Sequence, residues 1–278
     1  MKLKISLLAG VLAAALAVPA AAGASTLIGS GSVAAQPVFL ALFAAYHKIH
    51  PNIGFTYTAN GGNAGVKDVQ AGRSQFAGQA RSPLPSDSGT TYVKAYLDGL
   101  CVLVNPANQL HTLSLKQLAD VYTGKLTNWS TFPGSKLNTT IDPYGRDANG
   151  GTYTFFSSAV LGGAAPASNV NALSSDGLIA NAVKQDKNAI GYDGLAYAGL
   201  LRPIKLNGIA CSAYNVLHQT YPLTRFIFFV LPNENKSSDV TKFVDWARSS
   251  VAARAVINKA GGVAVFNKHP KKKRTTRH

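Results

Sequence analysis

The 278-residue sequence predicts an α/β protein of two lobes with a cleft between them. Two observations predict this. Strand, Gly-rich turn and helix follow one another repeatedly, the pattern of layered α/β units. Two strongly apolar segments, 98–105 and 225–231, also bracket a middle stretch of about 120 residues. If both segments lie in the sheet of the first lobe, the chain leaves that lobe and returns, as in a hinged pair. The expected division is 1–24 as an export signal, 25–104 with 225–268 as lobe 1, 105–224 as lobe 2, and 269–278 as a disordered basic tail.

The elements follow in order. Thr26, Leu27 and Ile28 make a short strand that runs into the turn 29–32. Val38, Leu42, Phe43, Tyr46 and Ile49 recur at helical spacing over 37–50, and Pro51 and Asn52 stop that helix. Residues 53–58 alternate as a strand before the turn 60–63, a helix over 64–71 and a strand from Phe76. Leu100 to Val104 are apolar without interruption, as in a buried strand. Ser114 with Gln117 three residues on has capping-box spacing for a helix over 114–122. A strand at 141–144 leads into a third Gly-rich turn and a helix from Gly150. Strands are expected at 189–192 and 225–231, and one helix over 238–258.

The two ends stand apart from the body. Lys2 and Lys4, an apolar run over 5–18 and small residues to Ala24 describe a cleavable secretory signal, with A-x-A sites at Ala20/Ala22 and Ala22/Ala24. The run is short of the roughly 20 residues that span a bilayer. No Cys lies near the cleavage site, so a lipoprotein is not expected, and the mature protein is expected in the periplasm or secreted. Residues 269–278 hold five Lys and Arg and nothing apolar, as in a disordered tail. Without those five and Lys2 and Lys4, the formal charge of +15 falls to about +8. That excess favours anionic ligands and does not amount to a nucleic-acid surface. Cys101 and Cys211 are the only cysteines. An oxidising compartment allows them to pair, but their spacing fixes no geometry, so a disulfide stays open.

Three turns carry candidate chemistry: 29–32, 61–65 and 146–152. Each follows a strand and opens a helix, where free backbone N–H groups and the helix dipole favour an anion. Arg146 adds a charged, forked donor to the third. The motifs GSGSVAAQPVF at 29–39, GGNAGVKDVQAGRSQFAGQARSPL at 61–84 and GRDANGGTYTFF at 145–156 contain these turns. With DGLCVLVNPAN at 98–108, LSLKQLADVYTGKLTNW at 113–129, AIGYDGLAYA at 189–198 and YPLTRFIFF at 221–229, they make the chain resemble the phosphate-binding proteins of bacterial phosphate ABC importers.

That resemblance implies a type II periplasmic-binding-protein fold, a small anion such as phosphate held in the cleft, and an ABC permease as partner. It implies a monomer with no cofactor, no nucleic acid and no catalysis. Carried onto this chain, it makes Gly31, Ser32, Val33, Gly62, Asn63, Arg81, Arg146, Gly150, Gly151 and Thr152 the ligand-binding residues. The match is uneven. Gly62 and Gly150 stand where the family has Ser, and Ser32 or Val33 where it has Thr or Ser. Arg81 stands where high-affinity members carry an Asp that accepts a hydrogen bond from protonated phosphate, and an Arg accepts nothing. An extracellular interaction protein that reuses the fold without the ligand is the alternative reading.

Other chemistry is not legible. No phosphate loop, nucleophile elbow, HExxH or CxxC occurs. His47 and His50 share a helix without a third metal ligand. Asp142, Asp147, Asp176 and Asp193 include no pair that the sequence brings together. Tyr122, Trp129, Tyr144 and Tyr153 are expected to pack within a lobe.

Overall fold

The computed structural model describes residues 25–199 and 201–265; the expected export signal and basic tail lie outside them. Lobe 1 is a five-stranded sheet in the order β2–β1–β3–β10–β4, formed by Ile53–Thr58, Ser25–Gly31, Phe76–Gln79, Thr224–Pro232 and Thr90–Val104. Its first three strands run parallel, and β10 is antiparallel to both β3 and β4. The helices α1 (Gln36–Ile49), α8 (Ser238–Ser249) and α9 (Val251–Lys259) cover one face over a core rich in aromatics, including Phe39, Phe43, Phe76, Phe229 and Phe243. On the opposite face α2 (Gly62–Gln70) packs Val66 and Val69 against Ala77 and Val230.

Lobe 2 is built on the far end of the same long strand. Leu100 to Val104 of β4 pair with β8 (Ala189–Gly194), and Val102 to Val104 pair on the other side with β9 (Arg202–Leu206). Beyond β8 come β6 (Asp142–Arg146) and β7 (Asn171–Leu173), while β5 (Thr112–Leu113) borders β9. The helices α3 (Leu115–Tyr122), α4 (Gly151–Leu161) and α7 (Ala213–Leu217) flank a core that contains Leu118, Tyr122, Trp129, Phe156 and Val216. On the other face α5 (Asp176–Gln185) and α6 (Leu195–Ala198) place Ile179, Val183 and Ala198 over Cys101 and Leu103. Cys101 and Cys211 are joined as a disulfide.

Several expectations shift. The chain changes lobes between Gly99 and Leu100, where β4 leaves β10 for β8, so residues 100–104 pair within lobe 2 and the crossing comes earlier than the expected boundary at 104. The chain returns at Thr224, which pairs with Gly99. The strand expected from residue 98 begins at Thr90, because its first half interleaves polar side chains over lobe 1. The single helix over 238–258 is two, broken at Ser250, whose extended backbone ends α8 while its hydroxyl caps α9. The capping box at Ser114 and Gln117 is formed at α3.

Candidate anion-binding cleft

The described helices differ sharply at their N-termini. Ser114, Ser175, Ser212, Ser237 and Ser250 cap α3, α5, α7, α8 and α9 with a side-chain hydrogen bond. The helices α2, α4 and the four-residue α6 begin instead at Gly61, Gly150 and Gly194, with no cap from the N-cap side chain, and at α6 Asp98 Oδ1 already accepts the Leu195 N–H. A first turn without a cap keeps its N–H donors for another acceptor. The α1 terminus is intermediate: its N-cap Ala35 makes no side-chain cap, though the Ala35 N–H reaches Ser32 Oγ at 3.2 Å.

The cleft brings the glycine-led turns of α2 and α4 together. The Asn63 N–H donates to Asn149 O at 3.2 Å, and Asn63 Nδ2 donates to Ala148 O and Thr154 Oγ1. Gly61 has φ +100°, and a Cβ there would lie 2.6 Å from Asn149 O. Only glycine gives both that backbone and that approach. Ser32 and Val33 are buried beside this junction, with Ser32 N–H bonded to Gly78 O and Tyr57 OH donating to Ser32 O.

Successive residues at the start of α4 each meet a polar side chain. A Cβ on Gly150 would lie 3.1 Å from Arg146 Nη2, and one on Gly151 would lie 1.8 Å from Gln79 Oε1. Thr152 Oγ1 accepts from Arg225 Nη1 at 3.0 Å. Arg146, Gly150, Gly151 and Thr152 thus lie together, opposite Gly62 and Asn63. Arg146 also lines an interlobe groove of about 590 Å³ with Asn60, Asn149 and Ser175.

Arg81, Arg146 and Arg225 are each at most 5% exposed, and each is matched by a buried aspartate. Arg146 Nη1 meets Asp176 Oδ2 at 2.5 Å, with Nη2 on Ser174 O and Nε on Leu173 O. Arg225 donates through Nε and Nη2 to Asp98 Oδ2, and Asp98 Oδ1 accepts the Leu195 N–H. Arg81 forms a two-pronged pair with Asp87 at 2.6 and 3.0 Å, and its Nε donates to Asn63 Oδ1 at 2.8 Å. Burial pushes the Asp87 carboxyl up, but bonds from Arg81, the Leu84 N–H and Tyr92 outweigh this and hold it below its usual value. The Arg81 fork is therefore spent on Asp87, and the side chain steadies Asn63.

The structure also joins two carboxyls that the sequence left apart. Asp176 and Asp193 are fully buried, and Asp176 Oδ1 and Asp193 Oδ2 have no other hydrogen-bond partner. Burial, then the Asp176 charge and their mutual hydrogen bond, hold Asp193 well above its usual value. A proton kept by Asp193 and donated to Asp176 satisfies both oxygens. The unfolded chain releases that proton above about pH 4. The Asp193 contribution to stability is therefore full below that pH and is lost as pH rises through the raised folded value. Asp193→Asn, which carries its own donor, should flatten the decline of melting temperature as pH rises above about 4 and exceed wild type at the alkaline end. Equal slopes for the two proteins would show that no such proton is held.

Gln79, Arg225, Asp98 and the Asp176–Asp193 pair were not singled out in the sequence. Asp142 is half-buried apart from that pair, and Tyr122 and Trp129 lie in the lobe 2 core. Among the described residues no group of three or more His, Cys, Asp or Glu is placed to hold a metal, and no helix is long and apolar enough to cross a membrane.

Comparison with known proteins places the chain in context. Residues 17–251 match the model of a PBP superfamily domain. Protein SphX of Synechococcus elongatus is 27% identical over 251 residues, covering 82% of this chain and 74% of that one. The phosphate-binding protein PstS of Bacillus subtilis is 24% identical over 252 residues, covering 88% and 82%. A putative phosphate ABC transporter substrate-binding protein with bound phosphate from Clostridium perfringens superposes with a TM-score of 0.82 at 25% identity, covering 87% of this chain and all of that one. An ABC-type phosphate transport receptor from Vibrio cholerae shares the fold, with a TM-score of 0.70 at 23% identity.

Proposed function

The chain belongs to the PBP superfamily, and on that premise we propose that it captures phosphate between its lobes outside the cytoplasm and delivers it to an ABC importer. It binds and releases the anion unchanged, acts as a monomer, and meets the permease in the inner membrane after its export signal is removed. The observation that carries this reading is the meeting of two uncapped, glycine-led helix N-termini from opposite lobes, beside Arg146, Arg225 and Thr152. The relatives named for phosphate binding support the choice of ligand.

The balance of charge says how the anion is held. Arg81, Arg146 and Arg225 are each neutralised by Asp87, Asp176 and Asp98. The cleft then offers oriented N–H and hydroxyl dipoles more than net positive charge, and dipoles in a buried site are weakly screened. Titration calorimetry with phosphate, sulfate and arsenate tests the reading. Phosphate affinity should change by less than about threefold between roughly 0.05 and 0.5 M NaCl. A tenfold loss over that range would show that uncompensated charge carries binding. The same matched pairs leave no charge seeking a ligand, which favours the second reading, an interaction protein on this fold. No heat with any of the three anions would decide for it.

A further inference from the structure

We propose that Gln79 is the specificity-determining residue of this cleft, its carboxamide reading the proton that phosphate carries and sulfate lacks. The inference rests on the phosphate-binding reading and names the residue that would make it selective.

Gln79 ends β3 and is fully buried. Its Oε1 lies 2.3 Å from where a Cβ on Gly62 would sit and 1.8 Å from where one on Gly151 would sit. The carboxamide therefore occupies the space between the first residues of α2 and α4, and glycine at both positions is what admits it. A serine at either would collide with it. The absence of a hydroxyl at Gly62 and the presence of a carboxamide at Gln79 are one arrangement.

The hydrogen-bond inventory of that group is half used. Oε1 accepts the Ala80 N–H at 2.8 Å, and Nε2 donates to Asn63 Oδ1 at 3.3 Å. A carboxamide oxygen takes two hydrogen bonds and its nitrogen gives two, so one acceptor and one donor remain. The remaining donor suits an anionic oxygen. The remaining acceptor suits a P–OH group, which hydrogen phosphate has at neutral pH and sulfate does not. The arginines offer no acceptor at all, and the Arg81 fork is closed by Asp87. Asn63 Oδ1 already receives both Arg81 Nε and Gln79 Nε2. A rigid acceptor facing sulfate is left unpaired, and that mismatch is the source of discrimination.

The test is the ratio of sulfate to phosphate dissociation constants, measured by calorimetry on the mature protein and two variants whose melts are recorded alongside. Gln79→Met keeps the shape and removes both polar atoms; the ratio should fall about tenfold, at about 1.4 kcal/mol per decade. Gln79→Glu keeps the shape, strengthens the acceptor and repels sulfate; the ratio should rise. An unchanged ratio overturns the inference, and if Gln79→Met does not fold, Gln79→Glu alone decides. Tighter binding of both anions to Gln79→Met would make Gln79 a plug and also overturn it. Wild-type protein that binds phosphate while the variants keep its selectivity defeats only the role of Gln79. Wild-type protein that binds neither anion defeats the phosphate reading itself.

Discussion

Arg146→Ala is expected to lose phosphate binding by thirtyfold or more and to melt on the order of 10 °C lower. Both effects follow from what Arg146 holds. Its guanidinium is 3% exposed, pairs with the fully buried Asp176, and donates to the carbonyls of Ser174 and Leu173. Removing one member of such a pair strands the other, at a cost of about 3–5 kcal/mol. In chains of this size each kcal/mol moves the midpoint by about 2–4 °C. The anion loses a charge-assisted donor beside Gly150, worth roughly 2–5 kcal/mol. The two effects separate in a double variant. Arg146→Ala with Asp176→Asn removes the stranded charge, so stability should largely return while binding does not. Arg146→Lys should be intermediate, since a point charge cannot span Asp176 and Ser174 O together. Full phosphate affinity in a folded Arg146→Ala protein would sink the anion-cleft reading.

The second large effect belongs to the disulfide. Cys101 lies near the end of β4, in the part that pairs with β8, and Cys211 110 residues later, ahead of α7, so the bridge encloses nearly all of lobe 2. Closing a loop of about 100 residues lowers the entropy of the unfolded chain by about 4.7 kcal/mol at room temperature. Replacing both cysteines by alanine should therefore cost about 4–5 kcal/mol, read as a lower urea midpoint. Reductant should lower wild-type stability by a similar amount and leave the double variant unchanged. A difference under about 1 kcal/mol would mean that the reduced chain is already compact. A bridge of this kind is favoured in an oxidising compartment, in keeping with the export signal expected from the sequence.

The parts of this architecture that were legible in the sequence are the local ones. Strand, turn and helix at 26–50, 53–71 and 141–156 follow from periodicity and Gly punctuation within windows of about a dozen residues. Ser114 with Gln117 and the turn after Arg146 were legible for the same reason. What escaped depends on distance along the chain. Asp98 meets Arg225 across 127 residues, and Gln79 approaches Gly151 from another lobe. Nothing in the neighbours of either residue signals such a meeting. The pairing of Arg81 with Asp87, six residues on, was within local reach. A lone Asp behind a Pro-rich turn reads as a surface loop, although it is buried. At Ser250 the signal was present, a cap residue before an apolar run, and continuous helical spacing on both sides masked it.

The crossing of β4 and β10 at Gly99 and Thr224 has a mechanical meaning. Two adjacent antiparallel strands are the whole covalent link between the lobes among the described residues, so any relative rotation of the lobes would turn about a line through them, as on a torsion bar. In such a rotation every atom is displaced in proportion to its radius from the bar. Asp98 and Arg225 sit on it, paired with each other, and reach Leu195 N–H and Thr152 in lobe 2. These links have a short lever arm and strain little. Asn63, carried on α2 away from the bar, sweeps a longer arc from Ala148, Asn149 and Thr154. A mouth that opens at Asn63 and stays clasped at Arg225 releases its contents along one face, without the lobes losing their register.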